Sequence, residues 1–320
     1  LLRLIVRLTL LLWLMLIFCI ALGTLISPRA QFASLTRCPS HVGFSNIVLV
    51  DADRRLSVCL THDSETRSRP FWSPDGEKLA YLSYEAINIL TIASGHTQQI
   101  INRSTPIVSS NFSPHWSPDG QQILLMVRQT RDSEQLLLYD FRQQAFVPLP
   151  YGDALQVEWS PADPTTALVT TEQGVTLWRA DQAPKPIGFG RAVWLPHGTG
   201  FLTLDGNQVT RWSADGETLK DYVLDDMLLS FALSPQGDHA VISFLAASQT
   251  YYILDFASGE QRVIPALPNP MTYMVSYSPD ARWRLYVQSN PVLESTDNGR
   301  LTALTTLEGT VYSVWRPVQR

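Results

Sequence analysis

Residues 71–83 read Phe71-Trp72-Ser73-Pro74-Asp75-Gly76-Glu77-Lys78-Leu79-Ala80-Tyr81-Leu82-Ser83. Ser73 to Gly76 form a turn by their chemistry. Pro74 presets φ at the second position, Asp75 can bond its own backbone, and Gly76 accepts a positive φ. Beyond the turn, Leu79, Tyr81 and Ser83 alternate with Lys78, Ala80 and Leu82, a period of two that predicts a strand with both faces at least partly buried. Trp72 ends a short strand before the turn and offers a large apolar surface to a neighbouring sheet.

The unit returns to the end of the chain. Trp116-Ser117-Pro118-Asp119-Gly120 is a full copy, and Trp159, Trp194, Leu233, Tyr277 and Trp315 open more degraded ones. From Trp72 onward the anchors are separated by 44, 43, 35, 39, 44 and 38 residues. Each repeat has a second half, as in the alternating run Ile87 to Ile92, the Ser94-Gly95 turn and the return Thr97 to Ile101. Val175 to Trp178, Gln208 to Trp212 and Tyr251 to Asp255 are later equivalents. A meander of four strands every 40 residues or so is the unit of a β-propeller, in which blades set around an axis bury one another's faces. The anchors predict an all-β, seven-bladed ring, with six or eight blades as alternatives if a degenerate copy is misjudged.

Trp-Ser-Pro-Asp-Gly, an apolar strand and then an Asp or Ser-Gly hairpin together resemble the TolB-type, WD40-like propeller repeat. The resemblance covers roughly residues 42–320 and implies an envelope scaffold role. The copies at 194, 233 and 315 depart from the motif, and the one at 159 lacks its Asp-Gly.

Arg3 and Arg7 precede a run from Leu8 to Ile26 without a charge. Those 19 residues would span about 28 Å as a helix, close to the hydrocarbon thickness of a bilayer. With the arginines held in the cytoplasm, the remainder would lie outside it. Residues 1–26 therefore read as a transmembrane anchor, with a cleaved signal segment and a secreted or periplasmic product as the alternative. Residues 27–41 read as a tether and 42–320 as the propeller.

Asn46 to Asp51 and Arg55 to Thr61 match the outer two strands of a blade, while Val311 to Trp315 is an inner strand without partners. The expectation is that the two ends of the chain share one blade, leaving no open sheet edge there. Cys38 and Cys59 flank the strand at 46–50, and a disulfide between them would tie the tether to the shared blade; two unpaired thiols are the alternative.

The sequence offers no catalytic, cofactor or metal constellation. His41, His62, His96, His115, His197 and His239 lie in or beside predicted turns, none at a metal-ligand spacing. Asp51-Ala52-Asp53 and Asp225-Asp226 lack the further ligands of a calcium loop, and turn chemistry accounts for Asp51 and Asp53. There is no Gly-x-Ser-x-Gly and no Gly-rich phosphate loop. A net charge of −5 without a basic stripe argues against nucleic acid. The periodic tryptophans suit packing between blades better than a sugar platform.

In this topology the Ser-Pro-Asp-Gly turns and the outer hairpins share one face. The opposite face collects the connections His62 to Pro70 and Asn102 to Pro114, with the central hairpins Arg128 to Glu134, Leu245 to Thr250 and Gln288 to Arg300. Its arginines, Arg67, Arg69, Arg103, Arg128 and Arg131, are the candidate partner surface, because loops carry function more often than scaffold does. The function expected is a membrane-tethered interaction module binding a protein or envelope polymer. The alternatives are a channel-site enzyme of lyase, lactonase or glycosidase type, for which the inner strands offer Glu158 but few other ionisable groups, and a small-ligand sensor.

Overall fold

Ser73 is the hub of the first turn. Its hydroxyl donates to Asp75 Oδ1 at 2.5 Å and accepts the Lys78 N–H at 2.9 Å, while Asp75 Oδ1 also accepts the Glu77 N–H at 2.9 Å. Gly76, at φ +68°, donates its N–H to the Ser73 carbonyl at 2.8 Å. Ser117 with Asp119 and Ser278 with Asp280 repeat the hydroxyl-to-carboxylate bond at 2.6 Å in both cases. At Ser234, where Gln236 holds the aspartate's place, Asp238 takes over the same role at 2.6 Å. All four serines are buried. The motif thus recurs because a buried hydroxyl needs both an acceptor and a donor.

The computed structural model describes residues 31–36, 46–54, 56–61, 70–83, 86–100, 107–108, 115–130, 133–151, 154–180, 182–246, 250–264, 274–287, 291–304 and 312–317. They form seven antiparallel sheets. From inner to outer strand, blade 1 is Phe71–Trp72, Lys78–Ser83, Ala86–Thr91 and Thr97–Gln99. Blade 3 is Gln156–Ser160, Asp163–Thr171, Gly174–Arg179 and Lys185–Gly188, and blade 4 is Arg191–Trp194, Gly200–Asp205, Gln208–Ser213 and Thr218–Val223. Blade 5 is Leu228–Leu233, His239–Phe244, Tyr251–Asp255 and Gln261–Ile264, and blade 6 is Met274–Tyr277, Trp283–Val287, Val292–Ser295 and Leu301–Ala303. In blade 2, Ile107–Val108 and His115–Trp116 both pair with Gln122–Thr130, followed by Ser133–Asp140 and Ala145–Pro148.

Blade 7 is assembled from both ends of the chain: Tyr312–Trp315, Gln31–Thr36, Asn46–Asp51 and Leu56–Cys59. Gln31–Thr36 lies inside the stretch read as a tether, so the folded ring reaches back to residue 31. Its register shows why it belongs there. Phe32 faces Trp315 as Leu79 faces Trp72, and Gln-Phe-Ala-Ser-Leu-Thr takes the place of Lys-Leu-Ala-Tyr-Leu-Ser. The Arg316 N–H bonds the Gln31 carbonyl at 2.7 Å, as the Ser73 N–H bonds that of Lys78 at 2.9 Å. The break between the chain's ends falls where the Ser-Pro-Asp-Gly turn would be.

Seven apolar clusters fill the seven blade interfaces, one each. That between blades 7 and 1 holds Ala33, Leu35 and Ile47 against Trp72, Leu79 and Tyr81. The ring is therefore closed with seven blades, not six or eight. Three loop expectations change. Residues 128–130 and 133–134 of the expected hairpin Arg128 to Glu134 are strand. Ile107–Val108, inside the expected connection Asn102 to Pro114, is strand. Val292–Ser295, inside the expected hairpin Gln288 to Arg300, is also strand, and residues 296–300 turn on the opposite face. The run Leu8 to Ile26 lies outside the described residues, among which no helix is long and apolar enough to cross a membrane.

Candidate functional site

Side chains on the turn face bond blade to blade. Arg179 of blade 3 donates to Asp215 at 2.8 Å, and Lys185 donates to Glu217 at 2.7 Å, both into blade 4. From blade 4, Lys220 reaches the Ala257 carbonyl at 2.9 Å and the Tyr222 hydroxyl that of Phe256 at 2.7 Å. From blade 6, Arg282 and Trp283 both bond Asp53 of blade 7, at 3.0 and 3.1 Å. From blade 7, Arg316 donates to the Gly76 carbonyl at 2.7 Å and lies 5.3 Å over the Trp72 ring. Asp51 accepts the Arg54 N–H at 3.1 Å, an ordinary turn bond. Among the described residues, no group of three or more histidine, cysteine or acidic side chains is placed to hold a metal ion.

The inner strands bring the tryptophans together as rungs. Trp159 Nε1 donates to the His115 carbonyl at 3.2 Å, Trp194 Nε1 to that of Glu158 at 3.0 Å, and Trp315 Nε1 to Ser276 Oγ at 3.1 Å. Each bond crosses to the preceding blade, at or beside the residue before its own anchor. Glu158 is engaged: Oε1 accepts Gln156 Nε2 at 2.7 Å and Oε2 accepts the Trp194 N–H at 3.3 Å. Besides tyrosines, the described inner strands carry only His115, Glu158 and Arg191 as ionisable side chains.

One blade interface breaks the apolar pattern, and the sequence reading missed it. Arg284 faces Tyr277 in the register where other blades carry Leu79, Ile123, Ala167, Phe201, Ala240 and Phe32. Its partner on the next strand is Glu294, with an Nη2–Oε1 distance of 2.9 Å. Both are buried, and Tyr286 donates to Glu294 Oε2 at 2.6 Å. Burial pushes the Tyr277 phenol up to about 12 and the Tyr286 phenol higher still. The Tyr277 hydroxyl lies 3.0 Å from His239 Nε2, and His239 Nδ1 lies 2.7 Å from Asp238. A polar row thus runs beside the apolar cluster between blades 5 and 6, and its bond across the interface is that of His239 to Tyr277.

The turn carboxylates give a pH prediction. Asp140 and Asp255 are held below the usual carboxylate range, first by the N–H groups of Gln143 and Ser258. Asp280 is also depressed: burial pushes it up, but the Ser278 hydroxyl and Arg282 outweigh this. A carboxylate depressed by folding contributes stability above its unfolded pKa, near pH 4, and loses it as pH falls through the folded value. The melting temperature should hold between neutral pH and about 5 and fall below about 4. Circular dichroism melts read this, and a stability maximum in acid would contradict it.

Of the arginines predicted as a partner surface, Arg67, Arg69, Arg103 and Arg131 lie outside the described residues. Arg128 stands in the strand Gln122–Thr130, opposite Glu134. Cys59 is disulfide-bonded, and Cys38 lies outside the described residues, as does Cys19.

No family model matches the chain, and no curated protein matches it. Solved structures do. TolB from Acinetobacter baumannii aligns at a TM-score of 0.57 and 16% identity, over 90% of this chain and 66% of that one. The chain thus spans just under two thirds of TolB's length. A chain of a mitotic checkpoint complex aligns at 0.59 and 16% identity, over 76% of this chain and 78% of its own. The dihydro-heme d1 dehydrogenase NirN, in complex with DHE, aligns at 0.60 and 13% identity, over 91% and 76%. At such identities the likeness is one of fold: this chain is a TolB-like β-propeller, and it has seven blades.

Proposed function

We propose that this chain is a membrane-tethered, extracytoplasmic interaction module that binds a protein or an envelope polymer through the connection face of its propeller. The observation supporting the reading is that cations of the turn face are engaged in bonds between blades. The turn face spends Arg179, Lys185, Lys220, Arg282 and Arg316 on holding blade to blade. The charge-free run Leu8 to Ile26 behind Arg3 and Arg7 supplies the tether. The disulfide at Cys59 suits an oxidising compartment, and Cys38 is its proposed partner. TolB-type propellers lend the scaffold role by analogy of fold alone.

The test is capture of a partner from solubilised membranes with the full-length chain as bait, beside a mock bait. Changing Arg67, Arg69 and Arg103 to Glu should abolish specific capture if they form the contact. Capture that survives both this reversal and every other change on the connection face would contradict the reading. The second reading, a channel-site enzyme, has NirN as its support, a dehydrogenase on a similar fold. It would be favoured by turnover lost on Glu158→Gln with the fold intact.

A further inference from the structure

Among the described residues, the large exposed apolar side chains of the ring fall into two sets. Leu56, Val58, Val147, Leu219, Val223, Val263 and Leu301 stand on outermost strands, around the rim. The other five do not. Leu155, Phe189, Met227, Leu229 and Leu245 are 60, 68, 54, 47 and 59% exposed, and all stand at the connection-face end of three consecutive blades, 3 to 5.

The backbone aims them there. Leu155 and Phe189 immediately precede or closely approach the first inner-strand residues Gln156 and Arg191, and the Phe189 ring lies against the Gly174 end of blade 3's central hairpin. Met227 precedes blade 5's inner strand, and its carbonyl accepts the Leu245 N–H at 2.9 Å. Leu229 is a bulge residue: Leu228 pairs with Phe244 and Ser230 with Ser243, so nothing faces Leu229 across the sheet. A bulge re-aims the side chain it carries, often beside a functional site. Had Leu229 stayed in register, it would have been spent on the sheet.

Among the described residues, the charges around these side chains are mostly acidic. Glu172, Asp205 and Asp225 are exposed at the same ends of the same blades, with Asp226 half-buried beside them, against Arg191 alone. Asp226 is committed to the Met227 and Ala246 N–H groups, which leaves three free-standing carboxylates. An apolar surface edged by carboxylates selects apolar side chains interspersed with cations.

Resting on the interaction-module reading, we propose that the mouth of blades 3 to 5 docks a protein segment whose apolar side chains alternate with Lys or Arg. The apolar side chains would cover Phe189, Met227 and Leu229, and the cations would meet Glu172, Asp205 and Asp225.

The probe is a short synthetic peptide of alternating Leu and Lys, with its Leu and Glu counterpart, read by fluorescence polarisation on the full chain. The Leu/Lys peptide should bind, and the Leu/Glu peptide should not. Phe189→Ser with Leu229→Ser, and separately Asp205→Lys with Asp225→Lys, should each weaken binding at least about tenfold. The rim changes Val223→Ser and Val263→Ser should leave it unchanged, and melting curves confirm that each variant is folded. No binding of the Leu/Lys peptide, or binding that ignores the mouth variants, overturns the proposal. The same variants used as bait in membrane capture separate the two readings. A partner still captured by the mouth variants leaves the interaction module standing and this surface refuted. A partner lost with them, alongside the peptide, supports both.

Discussion

Replacing Glu294 by Leu is expected to destabilise the fold by about 3–5 kcal/mol, because it strands the buried Arg284 guanidinium without its counter-charge. The pair is 2.9 Å apart, with side chains only 11 and 9% exposed, and Tyr286 depends on the same carboxylate at 2.6 Å. Nη2 is the one Arg284 nitrogen bonded to Glu294; Nε and Nη1 are already buried without a partner. Loss of Glu294 therefore removes the carboxylate bonded to this side chain and leaves it only the Tyr277 ring, 5.9 Å away. The double change Arg284→Leu with Glu294→Leu should recover most of the loss, because it restores the apolar pairing that the other blades use at this register. Denaturant midpoints of the two single variants and the double variant measure this. A double variant as unstable as Glu294→Leu would show that the pair is not the source of the cost.

Arg316→Ala is the second large effect, at about 2–3 kcal/mol. The side chain joins three parts of the ring at once: Gln31 Oε1 at 2.7 Å, the Gly76 carbonyl at 2.7 Å and the Trp72 ring at 5.3 Å. It occupies the place that serine holds in the full copies of the turn, and it serves there as a clasp between blade 7 and blade 1. Arg316→Lys should not rescue, since an ammonium cannot hold the fork and lie flat on the indole together. Gly76 is bound into the same contact. A Cβ there would meet the Pro317 carbonyl oxygen at 2.8 Å, in addition to the strain of φ +68°. An Arg316→Lys variant that melts with the unaltered chain would contradict the clasp.

The turn motif made most of the ring legible. Buried serines at 73, 117, 234 and 278 bond an acid and a strand N–H, so a serine with a nearby aspartate marks the turn in those four blades. Gln31–Thr36 was hidden because its turn is divided between the ends of the chain, and no Ser-Pro-Asp-Gly announces it. Its likeness to residues 78–83 was the available signal. The Arg284–Glu294 pair was hidden for a different reason. Glu294 sits in a strand four residues long, inside the stretch Gln288 to Arg300 read as hairpin, so its partner could not be named. The apolar mouth was illegible because a one-residue bulge decides where Leu229 points, and a pattern of period two does not record that.

The two faces and the mouth of blades 3 to 5 exist as described only in a ring closed by Tyr312–Trp315 on Gln31–Thr36, so closure is the feature to test directly. Ser34 and Ser313 face each other in blade 7 with hydroxyls 3.0 Å apart and 279 positions between them. Ser34→Cys with Ser313→Cys should form a disulfide on oxidation, since paired Cβ atoms of neighbouring strands suit that bond. Peptide mapping without reductant should then recover the two ends of the chain as one linked fragment. On the chain-entropy model so long a loop adds about 5 kcal/mol, so the melting temperature should rise as well. Two thiols that both remain free to alkylating reagent under oxidising conditions would contradict the closed ring.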